Sequence, residues 1–134
     1  MKIISNCDLT GAEDAISMLE EAGELLCLGD DRDRTLVEIN DCEVLMAHPS
    51  VKVDQELLNR ASQLRFIGSP HTGKDHLDVE AIGQRGIQLA HIAEEFELLK
   101  NFTATSEMAF ALLLALVRKL PQAFNAAKSG SWER

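Results

Sequence analysis

The chain has 134 residues, of which 46% are hydrophobic and 26% are charged, and its formal net charge at pH 7 is −9. This length fits one domain with a buried core. The acidic excess argues against nucleic acid and anionic membranes as partners, because both require a basic surface, but it does not exclude a small anionic substrate.

The cysteines and histidines show no spacing typical of a metal site. Cys7, Cys27 and Cys42 are far apart and form no C-x-x-C motif, which predicts free thiols in a reducing compartment and no bound metal. Residues 1–6 become polar too early for a signal peptide, and the apolar run 108–117 is too short to span a bilayer. We therefore expect a cytoplasmic protein that does not enter a membrane.

Strand and helix patterns alternate along the first ninety-two residues. Each predicted strand is short and apolar, and each is followed by a segment with helical spacing of its apolar residues. The five predicted strands cover residues 2–5, 25–29, 44–47, 64–68 and 87–92. Short strands separated by helices predict βαβ units, an α/β fold and a parallel sheet. Right-handed crossovers then give a doubly wound, flavodoxin-like sheet of order 2-1-3-4-5.

Polar residues mark where the intervening helices begin. Residues 10–13 (Thr-Gly-Ala-Glu) have the capping-box pattern, and Gly23 is placed to end the helix that follows. Asp54 and Asp78 are predicted to cap the helices after the third and fourth strands. The stretch 33–40 is ambiguous, and we interpret it as a short helix.

The pattern changes after the fifth predicted strand. A loop or broken helix is predicted over residues 93–102 and a long helix over about 105–120, with Pro121 starting a further helix. Residues 108–117 are apolar on every face of the predicted helix. Since such a helix cannot face water on any side, we expect it to pack against another surface.

A loop between the fourth strand and the next helix carries the most informative motif. Residues 67–78 read I-G-S-P-H-T-G-K-D-H-L-D, and this run resembles the G-x-x-x-x-G-x-D-x-I-D pattern of the NAD-dependent D-2-hydroxyacid dehydrogenases, the phosphoglycerate dehydrogenase-like family. The resemblance continues through residues 79–81, 85–87, 103–107 and 112–116, and it ends at residues 118–121 and 130–134. It implies a substrate-binding domain over residues 1–102 and a hinge with entry and dimerisation helices over 103–134, leading to a Rossmann domain that this sequence does not contain.

The same loop is the predicted binding site. Its geometry leaves the N–H groups of Thr72 and Gly73 free for a small anion, and the resemblance makes that anion the substrate carboxylate. His48, Ser50 and His71 are expected to line the same pocket; His48 stands where many relatives carry an arginine, which argues against a phosphate-bearing substrate. From the loop alone, Gly73 could equally well only permit a positive φ angle in a tight turn.

The resemblance implies that the cofactor-binding motif and the catalytic residues lie outside this sequence. No G-x-G-x-x-G occurs, so we expect this chain alone to bind neither NAD nor NADP. The family's acid/base histidine, its carboxylate partner and its substrate-binding arginine follow the Rossmann fingerprint, so no catalytic residue is expected here. Asn101 and Thr103 match the hinge near the nicotinamide. The parent enzyme would transfer hydride between cofactor and a 2-hydroxy or 2-oxo acid, and this chain would be inactive alone.

Two further expectations concern class and assembly. The alternative function is a stand-alone flavodoxin-like binding or signalling module, but the third predicted strand ends without a phospho-accepting aspartate and residues 5–10 make a poor flavin phosphate loop.

The apolar helix predicts a two-fold symmetric homodimer through residues 108–117. The sequence leaves open which acid is bound, whether the cofactor is NAD or NADP, the dimer geometry, and whether this is a natural short form.

Overall fold

The computed structural model describes residues 1–131. Residues 132–134, the end of the C-terminal resemblance, lie outside the described residues. The chain divides into two compact units, Met1–Glu95 and a second that begins at Phe96. The sheet belongs to the first unit and the last three helices to the second. The predicted domain division after residue 102 stays a prediction about family architecture.

A five-stranded parallel sheet forms the centre of the first unit. Its strand order is β2-β1-β3-β4-β5, so the predicted α/β fold, parallel pairing and order are confirmed. The strands are β1 (Lys2–Ser5), β2 (Glu24–Cys27), β3 (Val44–Met46), β4 (Phe66–Ser69) and β5 (Gln88–His91). Because all strands are parallel, their carboxyl ends share one edge, and the loops after β3, β4 and β5 meet there.

Helices connect the strands of the first unit and make up the second. The α-helices are α1 (Glu13–Ala22), α2 (Arg32–Glu38), α3 (Gln55–Arg60), α4 (Val79–Gln84), α5 (Phe96–Leu99), α6 (Ala104–Val117) and α7 (Leu120–Lys128), with 3-10 turns at Ile39–Asp41 and Ile92–Glu94. The ambiguous stretch 33–40 is therefore helical, as interpreted. Asp54 and Asp78 cap α3 and α4 by accepting the N–H of Leu57 and Ala81, as predicted.

The predicted capping box at residues 10–13 is wrong. Helix α1 begins at Glu13 with Ala12 in the capping position and no side-chain cap. Gly11 has φ +78, in the left-handed region, so it turns the chain between Thr10 and the helix. The Thr10 N–H instead donates to Asp8 Oδ1 at 2.9 Å. Gly23 does end the helix, as predicted.

The core lies between one face of the sheet and the helices α2, α3 and α4. Ile4, Leu45 and Ile67 are in register on neighbouring strands and have no exposed surface. They belong to one buried cluster with residues of these helices, such as Leu57 and Ile82. Each such side chain contributes about 1.5–3 kcal/mol by leaving water, so the sheet is a firm support for the loops at its edge.

The second unit contains a shorter apolar helix than predicted. Helix α6 ends at Val117, because Lys119 has φ +50 in the left-handed region and separates it from α7. Pro121 lies in the first turn of α7, where its missing N–H costs nothing. No helix within residues 1–131 has both the length and the apolar character needed to cross a bilayer.

Candidate functional site

The loop after β4 offers two backbone donors. It follows Ser69 and ends at the capping residue Asp78. Within residues 1–131 the N–H groups of Thr72 and Gly73 donate no hydrogen bond, and both residues are exposed. Adjacent N–H groups without an intramolecular acceptor are available as donors to a small anion. Their assignment to a substrate carboxylate stays a prediction.

Gly73 is not in a positive-φ conformation, so the interpretation that it only serves a tight turn is wrong. A Cβ atom at this position would lie 2.8 Å from Asp75 Oδ1. A larger residue at this position would therefore require the Asp75 carboxylate to move.

The loops after β3 and β4 are joined to each other. The Val53 N–H donates to the His76 carbonyl at 2.8 Å, and the Asp78 N–H donates to the Val53 carbonyl at 3.0 Å. Val53 and Leu77 thereby form an isolated parallel bridge, and both side chains are buried. The segment that follows His48 is thus fixed against the end of the loop that carries Thr72 and Gly73.

The structure brings His48, Ser50 and His71 together, and their role in lining a substrate pocket stays a prediction. The His48 and His71 rings contact edge to face with centroids 4.7 Å apart. His48 Nδ1 lies 2.7 Å from Ser50 Oγ and accepts the Ser50 N–H at 3.2 Å. Since Nδ1 accepts a backbone N–H, the proton of the neutral His48 ring is on Nε2.

The surroundings of His71 and His76 disfavour the charged forms of both rings. Burial, together with nearby His48 and His91, lowers the pKa of His71 from its ordinary value of 6.5. Burial also lowers the pKa of His76 from 6.5, against an opposing effect of Asp75. His71 Nε2 and His76 Nδ1 are buried without a hydrogen-bond partner among residues 1–131, and an added proton there would have no acceptor.

His91, which belongs to no motif in the sequence, also contacts this loop. It is the last residue of β5, is buried, and pairs in register with Ser69 of β4. Its Nε2 atom lies 3.1 Å from the Gly73 carbonyl oxygen, and its Nδ1 atom accepts the Ala93 N–H at 3.0 Å. The signal that could have found it is its place at the carboxyl end of a predicted strand, the edge where ligands bind in such sheets.

Asn101 and Thr103 belong to the second unit. Asn101 Nδ2 donates to the Glu97 carbonyl at 3.2 Å, and Thr103 Oγ1 donates to Glu107 Oε1 at 2.6 Å at the start of α6. Both residues are exposed. Both contacts are local, and the expected proximity of these residues to a nicotinamide stays a prediction.

Among residues 1–131, no group of three or more His, Cys, Asp or Glu side chains is arranged to hold a metal ion.

Comparison with known families identifies the first unit. A family model described as the catalytic domain of D-isomer specific 2-hydroxyacid dehydrogenases matches residues 4–96. The chain belongs to this family. The match extends from the first strand of the sheet to the loop after the fifth strand. The resemblance at residues 67–78 is therefore one part of a similarity that extends over the domain.

Individual relatives of this dehydrogenase family extend the match. The chain is 33% identical to a D-3-phosphoglycerate dehydrogenase of Methanocaldococcus jannaschii and 33% identical to a glyoxylate reductase of Pyrococcus furiosus, over 91% of its length in each case. It spans 22% and 36% of those relatives. A D-lactate dehydrogenase from Aquifex aeolicus, solved with NAD and lactic acid, has the same fold (TM-score 0.76, 18% identity, 100% of this chain and 39% of that one).

Proposed function

We propose that this chain is the substrate-binding domain of an NAD-dependent D-2-hydroxyacid dehydrogenase. In this proposal the N–H groups of Thr72 and Gly73 bind the carboxylate of a 2-hydroxy or 2-oxo acid. The observation that carries it is the pair of adjacent N–H groups that have no acceptor among residues 1–131, at the carboxyl edge of a sheet that matches the family's catalytic domain. A carboxylate bound there gains charge-assisted hydrogen bonds, which are stronger than neutral ones.

The histidine pair would contact the rest of the acid. Burial lowers the pKa of His71, which disfavours a positive charge on its ring. His48 can donate from Nε2, because its Nδ1 atom accepts a backbone N–H. Ser50 adds a hydroxyl beside His48. This lining suits a small uncharged or weakly polar substituent better than a phosphate group, so we favour a small 2-oxo acid as substrate.

The described residues do not fit a dinucleotide. In a dinucleotide-binding fold the loop after the first strand carries a glycine-rich turn that binds phosphate. The loop after β1 of this chain contains one glycine, Gly11, and the helix that follows it has no side-chain cap. We therefore propose that NAD or NADP binds to another part of the parent enzyme and that Asn101 and Thr103 approach it there. This chain alone orients the acid but transfers no hydride.

Association is part of the same proposal. In α6 the side chains of Phe110 and Leu116 are 67% and 77% exposed, although each would gain about 1.5–3 kcal/mol on burial. We propose that residues 108–117 form a homodimer contact with two-fold symmetry, because an apolar surface of this kind marks an interface.

The cysteines support a reducing, cytoplasmic compartment as the location we propose. Cys7, Cys27 and Cys42 are free thiols, and Cys7 and Cys42 are buried. Burial raises the pKa of both buried thiols from 9.0, so they stay protonated and unreactive at neutral pH.

The direct test is a titration of the 15N-labelled chain with glyoxylate, pyruvate or D-lactate, followed by amide NMR. We expect the largest shifts at Thr72 and Gly73. Lactamide, which has an amide in place of the carboxylate of lactate, is the matched control and should shift neither. Shifts that are spread over the surface, or equal for lactate and lactamide, would contradict the proposal. Mixing the chain with NADH and these acids should give no NADH oxidation.

A further inference from the structure

We infer that His91 is a positioning residue, whose imidazole holds the Gly73 carbonyl and so restrains the backbone of the loop that carries the N–H groups of Thr72 and Gly73. The role of those N–H groups in binding an acid rests on the proposed function. The role of His91 in holding the loop is an independent structural claim. The two can therefore fail separately.

The two hydrogen bonds of His91 determine its tautomer. Nδ1 accepts the Ala93 N–H at 3.0 Å, so this nitrogen carries no proton in the neutral ring. The proton is then on Nε2, which donates to the Gly73 carbonyl at 3.1 Å. The Ala93 N–H thus orients the ring so that its only donor points at the loop.

The support for this contact is rigid. His91 is 4% exposed and ends β5, next to Ser69 at the end of β4. Because its ring is buried, it cannot exchange the Gly73 contact for water without cost. The loop is therefore held by the sheet itself, although Thr72 and Gly73 are exposed.

Holding the Gly73 carbonyl restrains the loop backbone at this residue. The Gly73 C=O and the Lys74 N–H belong to one peptide unit, and no peptide bond among residues 1–131 is cis. In a trans peptide these groups point in opposite directions, so fixing the carbonyl toward β5 turns the Lys74 N–H away from it. It also limits ψ of Gly73, which as a glycine has few steric restrictions of its own.

A second link between the same segments serves as a control. Lys74 Nζ donates to Glu94 Oε1 at 3.0 Å, but both side chains are more than a third exposed. Exposed ion pairs contribute little to structure. If the loop is held by His91, the variant Glu94→Gln should leave it in place.

Three variants of the full chain separate the two bonds of His91. In His91→Gln the carboxamide nitrogen can reach the place of Nε2 and donate to Gly73, but the acceptor for Ala93 is lost. In His91→Asn the side-chain oxygen can accept the Ala93 N–H, but the side chain is too short to reach Gly73. Glu94→Gln removes only the exposed pair. Amide spectra of each variant are recorded without ligand and then during titration with glyoxylate.

We expect His91→Asn to shift or broaden the Thr72, Gly73 and Lys74 amides and to weaken glyoxylate binding several-fold. His91→Gln and Glu94→Gln should keep both the loop amides and the affinity close to those of the unmodified chain. The inference is overturned if His91→Asn leaves the loop amides unshifted, or if His91→Gln disturbs them as much as His91→Asn does.

Two remaining outcomes are also decisive. If the unmodified chain gives no glyoxylate-dependent shift, the proposed function fails, while the ligand-free spectra still decide the role of His91. If His91→Asn does not fold, a long-range 15N–1H spectrum of the unmodified chain decides instead. That spectrum must place the His91 proton on Nε2, and a proton on Nδ1 would overturn the inference.

Discussion

The imidazole rings of His48 and His71 meet edge to face, 4.7 Å between centroids, across the loops that follow β3 and β4. The contact joins two loops that are separate in sequence but share one edge of the sheet. Charging both rings would place two positive charges in contact, beside a His71 nitrogen that has no hydrogen-bond partner among residues 1–131. The stability of this contact between the two loops should therefore depend on pH.

Stability should fall between neutral pH and about pH 5.5. The pKa values of His71 and His76 are lowered in the folded chain from 6.5. Their contribution to stability is thus present above pH 6.5 and is lost as the pH falls through the folded-state pKa, because the unfolded chain binds protons more readily. Urea midpoints measured at several pH values test this, and His71→Gln should reduce the pH dependence.

Carboxylates should not obscure that measurement. Hydrogen bonds or ion pairs lower the pKa of four of them below the ordinary values of 3.8 and 4.5, and these are Asp8, Asp41, Asp54 and Glu94. Their stabilising effect is lost only at more acidic pH. A urea midpoint that stays constant from pH 7.5 to about 5.5 would contradict the role assigned to the histidines.

Asp54 should stabilise α3 mainly as a cap. Its Oδ1 atom accepts the Leu57 N–H at 3.1 Å, and its carboxylate pairs with Arg32 at 2.8 Å on the surface. Asp54→Ala removes both contacts and should lower the free energy of unfolding by about 1 kcal/mol, the usual effect of losing a cap. Asp54→Asn keeps the cap and should cost less. Equal losses for the two variants would show that the ion pair dominates.

Gly73→Ala should weaken acid binding while the chain still folds. The added methyl group meets only Asp75 Oδ1, the end of a flexible side chain, at 2.8 Å. Gly83→Ala is the matched control, since a Cβ atom there meets nothing within 4 Å and the residue lies inside α4. It should stabilise the chain by about 0.5–1 kcal/mol without affecting the titration. Unchanged glyoxylate binding by Gly73→Ala would exclude close approach of the ligand to this residue.

The apolar surface of α6 should determine the oligomeric state. Light scattering should find the unmodified chain to be a dimer, and Leu113→Asp combined with Leu116→Asp should give a monomer. Val37→Asp is the control, because Val37 is also an exposed apolar residue but lies in the first unit. A monodisperse monomer of the unmodified chain at high concentration would reject the proposed dimer.

The fold could be predicted because its determinants are local. Apolar runs such as residues 44–47 and caps such as Asp54 and Asp78 act within a few residues of their position. The errors arose at left-handed residues. Gly11 moved the start of α1, and Lys119 ended α6, and a non-glycine residue with positive φ has no reliable local sequence pattern.

The candidate site could be predicted only in part, for a related reason. Thr72 and Gly73 belong to a motif that is contiguous in sequence, and so they were found. His91 contacts Gly73 only because β4 and β5 pair with Ser69 opposite His91. That contact depends on strand register, which a single sequence does not specify residue by residue.

The location of the histidines has a practical consequence. The sequence contains four, and the contacts of His48, His71, His76 and His91 all involve one edge of the sheet. The imidazole resonances of this protein therefore form a built-in spectroscopic probe. They report on the state of this edge when an acid, a cofactor or a further domain is added, without labels or substitutions to introduce.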